Sequence, residues 1–289
     1  MEGHDYVGVD LLGSDLSNAN LSGADLSSAL LEDANLQGAR LRHARLRNAV
    51  LDNVAMTGAD LWGADLTGAS LAGADLTDAQ LQDAVFTDAD LSSALIRRAK
   101  ASQSQFSGAK LDGADLRDTE FHGADFRGAS LHDARLEGVV LESCDVSGVH
   151  WAGAILDRTR LQREQLDRAI GDERAKNPAS AVRGYLALER NFQQLADTDA
   201  ARWAYLRRRR MQKRALVREM VQAWRSRARA RALRSALAVL SDQAAELVCD
   251  YGESLSRGQP RQLGHVVAEA AITEQTLPVA TQAIWAEHI

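Results

Sequence analysis

The chain has 289 residues, a formal net charge of −6 and 45% hydrophobic residues, enough for one or two domains with a sizeable core. Two cysteines, Cys144 and Cys249, exclude a disulfide framework and a cysteine-based zinc motif, and no apolar run reaches the roughly 18 residues of a membrane span. Residues 1–160 hold 25 Asp/Glu against 13 Lys/Arg while residues 161–289 hold 15 against 21, so an acidic half is joined to a basic one, as in chains that carry binding surfaces of opposite sign.

Residues 1–10 lack a basic segment followed by an apolar one, so no secretory signal is read and the expected location is the bacterial cytoplasm. From Leu11 to Leu156 the sequence has a period of five. Every fifth residue forms a series of 30 positions, of which 21 are Leu and 4 are Phe, and two residues before each, 22 of 30 are Ala. This fits neither a helix nor an alternating strand. It fits a chain that is extended for three residues and then turns a corner, with the large residue and the Ala before it on one inside face. Four corners make a coil of about 20 residues, and coils stacked at the strand spacing give a rod of roughly 36 Å. The N-terminal end has little beyond Tyr6 and Val7 to cover it. An uncovered solenoid end is an open edge, which predicts capping by a partner or end-to-end homodimers.

Runs such as Ala24-Asp25-Leu26-Ser27-Ser28 and Ala64-Asp65-Leu66-Thr67-Gly68 resemble the pentapeptide-repeat family. The resemblance implies an all-β solenoid, a right-handed quadrilateral β-helix, followed here by a mainly α-helical C-terminal region. It also implies a choice of functions, which in that family include scaffolds and DNA-mimicking protectors of topoisomerases.

Two places in the repeat predict departures. At Ala101 the inside residue shrinks and its partner is Ser104, which predicts a coil underpacked by two or three methylenes, at ~0.8 kcal/mol each, and a bulge there. Towards the end Val139, Cys144 and Val149 replace Ala, and Val146 and Trp151 replace Leu, so the core is re-cut and Cys144 is read as a small buried thiol.

Residues 161–176 break the period and read as a capping helix and linker, with Leu161, Leu166 and Ile170 on one side. The run Leu161, Gln165, Leu166, Ala169, Gly171, Asp172 is similar to the closing segment of pentapeptide domains, with departures at Ala175 and Asn177. An α-helical region is expected over 177–250 and a weakly ordered tail over 251–289. Asn177-Pro178 makes a helix start, and Ala196 to Asp199 is the turn before a second helix. The pair resembles a tetratricopeptide unit. It also resembles, through Tyr185, Phe192, Trp203 and Tyr251, the helices that precede a membrane pore in some pentapeptide proteins. Residues 255–289 are too polar and short for that pore, so a channel function is not carried over.

No catalytic constellation, cofactor motif or metal-ligand spacing is found among the seven histidines and 40 acids, and the chain is read as non-enzymatic. The abundant Asp residues before each Leu are read as turn chemistry. The most acidic face of the rod gathers Asp10, Glu32, Asp33, Asp52, Asp90, Asp112 and Asp133 against Lys110. Duplex DNA of the rod's length would carry roughly 20 charges, more than the solenoid offers. Residues 202–234 hold 13 Lys/Arg and one acid; Arg207, Arg208, Arg209, Arg210, Lys213, Arg214 and Arg218 form the candidate basic surface. It is expected to dock on the acidic rod of its own or a neighbouring chain, or else on anionic lipid or nucleic acid. The leading expectation is a protein–protein interaction scaffold. The alternatives are a DNA-mimic modulator of a type II topoisomerase such as gyrase, and an adaptor tethered to a membrane or nucleic acid.

Overall fold

The structure is a computed structural model that describes residues 3–225. The chain divides into two units, Met1–Arg214 and Ala215–Ile289, and the expected helix beyond 225 and the tail over 251–289 lie outside the described residues.

Each repeat builds one side of the coil in the same way, as Asn35 to Ala39 illustrate. The Ala39 N–H donates to the Leu36 carbonyl at 3.0 Å, closing a turn whose third residue, Gly38, has φ 65°. That position requires a left-handed backbone, which Gly, Asn and Asp adopt most readily. Before the turn, Asn35 Oδ1 accepts from the Gln37 N–H at 3.1 Å. The same acceptance recurs at Asp25, Asp65, Asp75 and Asp125, so the residue before Leu is turn chemistry, as its type predicts.

The extended residues pair in parallel with those 20 positions on, Asn35 with Ala55 and Ala55 with Asp75, four sides to a coil. The result is a right-handed quadrilateral β-helix. Leu and Ala fill it: from Leu21 to Leu141 every fifth position is at most 1% exposed.

The coil at Ala101 does not bulge. Its N–H donates to the Glu120 carbonyl at 2.8 Å and Lys100 is bridged on both sides. Aromatic rings cluster in the neighbouring columns: Phe106 stacks on Phe86 and Phe126 at 4.9 and 5.1 Å, and Phe121, one coil above Ala101, meets Phe126 edge-on at 5.0 Å. The Ser104 hydroxyl is satisfied by the Ala101 carbonyl at 2.6 Å. The ladder opens one coil later. No bridge joins Glu120 to Val140; Thr119 sends its hydroxyl to the Ile96 carbonyl and Cys144 its thiol to the Phe121 carbonyl. Cys144 is buried, and burial pushes its thiol pKa up to about 11.

Beyond Leu156 the end of the solenoid is closed by a 3-10 turn, Arg163–Gln165, and a short helix α1, Gly171–Arg174. Leu161, Leu166 and Ile170 are buried as expected, but they lie along an irregular strap rather than on one side of a helix. The reason is Gln165, whose amide donates to the Leu141 and Cys144 carbonyls at 2.7 and 2.8 Å and pins the chain across the coil. Helix α2, Pro178–Gln194, starts at the Asn177 cap, which accepts from the Ser180 N–H. It turns at Ala196, and Asp197 caps helix α3, Thr198–Arg225, by accepting from the Ala200 N–H at 3.0 Å. Asn191 and Gln194 of α2 reach back to the Thr159 carbonyl and to Asp157 at 2.9 and 3.0 Å, so α2 is fastened to the last coil.

Candidate interaction surfaces

The predicted acidic residues stack in columns on one side of the coil, but most of their carboxylates have local work. Asp10 accepts from the Leu12 N–H. Asp52 takes the Ser70 hydroxyl at 2.5 Å and the Ala72 N–H at 2.9 Å on the next coil, and Asp112 repeats the arrangement with Ser130 and the His132 N–H. Asp33 and Asp133 are corner residues with φ 56° and 55°. Two charges on the face are met by cations, Asp90 by Lys110 at 3.4 Å and Asp133 by Arg183 of α2 at 2.5 Å. Burial opposes ionisation of Asp90, yet the Ser92 hydroxyl and N–H, with Lys110, outweigh it and hold its pKa below the usual carboxylate value. Glu32 is exposed.

The basic residues also find carboxylates, though not those of the rod face. Arg207 and Arg214 each approach Glu173 of α1 at 3.3 Å, and Arg208 pairs with Glu189 of α2 at 2.7 Å. Glu173 also accepts from the Tyr185 hydroxyl at 2.6 Å; burial, then this bond, pushes the phenol pKa upward. Arg209, Lys213 and Arg218 have partners as well, and Arg210 is exposed. Arg207, Arg208 and Arg214 are thus paired with the cap and α2 rather than with the acidic face. Arg183 alone of the cations in α2 is seen to bridge to that face. Residues 226–234 of the basic stretch lie outside the described residues. Among the described residues no helix is long and apolar enough to cross a membrane.

A different side of the coil carries a cluster that the sequence reading did not single out. Trp62 is 40% exposed in mid-rod. His43, one coil earlier, lies 5.5 Å from its ring, and the Arg42 guanidinium lies over it at 5.3 Å. The indole N–H donates to Asp83 at 2.8 Å, and Arg42 Nε donates to Asp60 at 2.5 Å. Gly63 makes room for this: a Cβ there would stand 2.6 Å from His43 Nδ1. An aromatic ring and a guanidinium held in place by bonds to their own scaffold are the residue types that dominate protein interfaces.

The end of the rod holds a second unforeseen group. His132 and His150 come from successive coils and meet Asp172 of α1, which is 1% exposed. His132 Nε2 lies 3.0 Å and His150 Nδ1 3.7 Å from Asp172 Oδ1, while Asp172 Oδ2 accepts from the Trp151 N–H at 2.8 Å. Desolvation works against ionisation of Asp172, but the hydrogen bonds from His150, His132 and Trp151 prevail and lower its pKa. The sequence signal was a separation of 18, one coil less two residues, which also relates Arg42 to Asp60, Arg47 to Asp65 and Thr57 to Asp75.

The repeat is also matched among known proteins. A family profile described as "Pentapeptide repeats" matches in eight copies over residues 5–33, 24–63, 34–73, 64–103 and 104–142. Among solved structures the chain is similar to HetL, a pentapeptide repeat protein involved in heterocyst differentiation regulation from the cyanobacterium Nostoc sp. strain PCC 7120. The identity is 27%, over 56% of this chain and 83% of that one, with a TM-score of 0.46. A trypsin-treated form of QnrB1, a plasmid-mediated fluoroquinolone resistance protein, is 18% identical over 51% of this chain and 86% of its own, at a TM-score of 0.31. Another pentapeptide repeat protein from Nostoc PCC 7120 is 37% identical over 34% and 73% of the two chains, at a TM-score of 0.15. No curated protein matches.

Proposed function

The repeat region of this chain belongs to the pentapeptide-repeat family, and on that premise we propose that the protein is a non-enzymatic scaffold that holds a protein partner against one side of its β-helix. The observation that carries the reading is the Arg42–His43–Trp62 cluster. The indole of Trp62 is fixed by Asp83 and the guanidinium of Arg42 by Asp60, so these two side chains have little entropy left to lose on binding. A half-exposed Trp on a rigid backbone is an anchor of the kind that supplies most of an interface's energy. Photo-crosslinking from position Gln82, the residue one coil beyond Trp62, tests it in the native cell. One discrete heterologous adduct that Trp62→Ala abolishes is the expected result. No adduct, or one indifferent to Trp62→Ala, overturns the reading.

The acidic balance of the repeat half favours a second reading, modulation of a topoisomerase such as gyrase by DNA mimicry. Its support is the net charge of residues 1–160; Lys110 and Arg183 count against it, because they neutralise two of the seven face carboxylates. Inhibition of gyrase supercoiling that is lost on reversing the charges of Asp33, Asp52 and Asp112 would establish it. Tethering of an adaptor to anionic lipid or nucleic acid through the basic helix has weaker support, since Arg207, Arg208 and Arg214 are engaged by Glu173 and Glu189.

A further inference from the structure

We propose that His132, His150 and Asp172 form a binding site for a divalent first-row transition ion of the zinc type, which clamps the last coils to the cap. The inference is independent of the scaffold reading. One atom from each side chain, two imidazole nitrogens and a carboxylate oxygen, lies within 4.8 Å of the others. Two ligands held about 2.1 Å from one ion near the tetrahedral angle lie roughly 3.4 Å apart. The 3.0 and 3.7 Å separations from Asp172 Oδ1 to the two rings straddle that value, and the ring nitrogens lie within 4.8 Å of each other, so rotation of the imidazoles would bring the three onto one ion.

The donor set and its surroundings are those of a three-ligand site. Borderline imidazole nitrogens with one carboxylate suit zinc, cobalt or iron rather than calcium or magnesium. Asp172 is fixed at 1% exposure by the Trp151 N–H on Oδ2, which leaves Oδ1 directed at the two rings. His132 has its other nitrogen, Nδ1, 3.9 Å from Asp112 Oδ1, beyond hydrogen-bond reach but close enough for ring rotation onto an ion to bring Asp112 into the role of an outer carboxylate. Asp112 is in turn held by the Ser130 hydroxyl. The rings are 34% and 28% exposed, so an ion has a path in and a fourth position open to water. Without an ion the same residues make a His–Asp hydrogen-bonded group, and the experiment is chosen to separate the two.

Untagged full-length protein is stripped with a chelator and titrated with ZnCl2 by calorimetry, with CoCl2 as a visible-absorption reporter of coordination. The expected result is one equivalent bound, with a rise in Tm. His132→Gln and His150→Gln, which leave the Asp172 contact to Trp151 in place, each weaken binding by about tenfold or more, and Asp112→Asn by about tenfold. Melting curves without metal report whether each variant folds, and a double His132→Gln/His150→Gln variant that folds and still binds one equivalent overturns the proposal. Absence of binding by the wild-type chain overturns it as well.

Discussion

At the scale of single residues, the five-residue code leaves little freedom, and its exceptions are informative. Ala101 breaks the Leu column, and from the sequence it reads as a hole. Beside it stand Phe106 and Phe121, from the next corner and the next coil, whose rings meet edge-on at 5.9 Å, and we expect them to share that space. Sequence alone does not show this, because volume is shared between columns that the repeat treats as separate. Ala101→Leu should therefore overpack the core and lower stability by about 1–3 kcal/mol; a raised Tm would show the cavity was real. Asp115 is a second exception, a carboxylate at 5% exposure between Arg117 and Arg97 at 2.7 and 2.9 Å. The Arg117 guanidinium beside it holds its pKa below the usual carboxylate value. A carboxyl whose pKa is lowered on folding contributes stability above its unfolded value, and that contribution is lost as pH falls through the folded one. Asp115→Asn should cost about 1–3 kcal/mol at neutral pH, and the gap in Tm from wild type should close below about pH 4. A gap that stays constant from pH 7 to pH 3 would mean the charge does not matter there. Cys144 gives the third test. With its pKa raised to about 11 by burial, the thiol of a Cys249→Ser chain should resist disulfide reagents at pH 8 and react fully in denaturant.

At the scale of elements, the cap is where sequence reading was half right. The apolar residues Leu161, Leu166 and Ile170 were legible as a lid because nothing else could cover the end of the Leu stack. Their backbone was not, since Gln165 and Asp172 act through bonds to carbonyls and N–H groups 20 or more residues away. Gly171 shows how tightly this lid is set. Its N–H donates to the Val149 carbonyl at 2.8 Å, and a Cβ would collide with the Gly148 carbonyl and the His150 ring. Since backbone rather than a flexible side chain stands in the way, α1 must move. Gly171→Ala should cost about 1–3 kcal/mol and lower Tm by several degrees, as read by circular dichroism. An unchanged Tm would show that the cap is free to shift on the coil. The helix pair α2–α3 was more readable. Asn177-Pro178 and Asp197 are local caps, and local signals survive in sequence.

At the scale of the whole molecule, a solenoid turns sequence into a surface map, because residues 18 and 20 apart are neighbours on adjacent coils. The fold was legible for this reason, and so was the acidic face as a set of columns. The Trp62 and His132 clusters were missed because each needs that map read for side-chain chemistry rather than for net charge. The same geometry fixes what the cap and α2 do for the molecule. A stack of coils ends in an open row of backbone groups, which in a β-protein invites pairing with another chain. Here the row is met by Gly171, Asp172, Gln165 and Asn191, which bond to Val149, Trp151, Leu141, Cys144 and Thr159. That is why these helical residues share a unit with the solenoid through Arg214. A fragment of residues 1–214 should elute as one discrete species in size-exclusion chromatography with light scattering. A fragment of residues 1–160 exposes Trp151 and Leu156 together with the unpaired row, and it should self-associate at the same concentration. If the shorter fragment is equally monodisperse and melts at the same temperature, the last coil needs no cover, and the helices are attached for some purpose other than closing the rod.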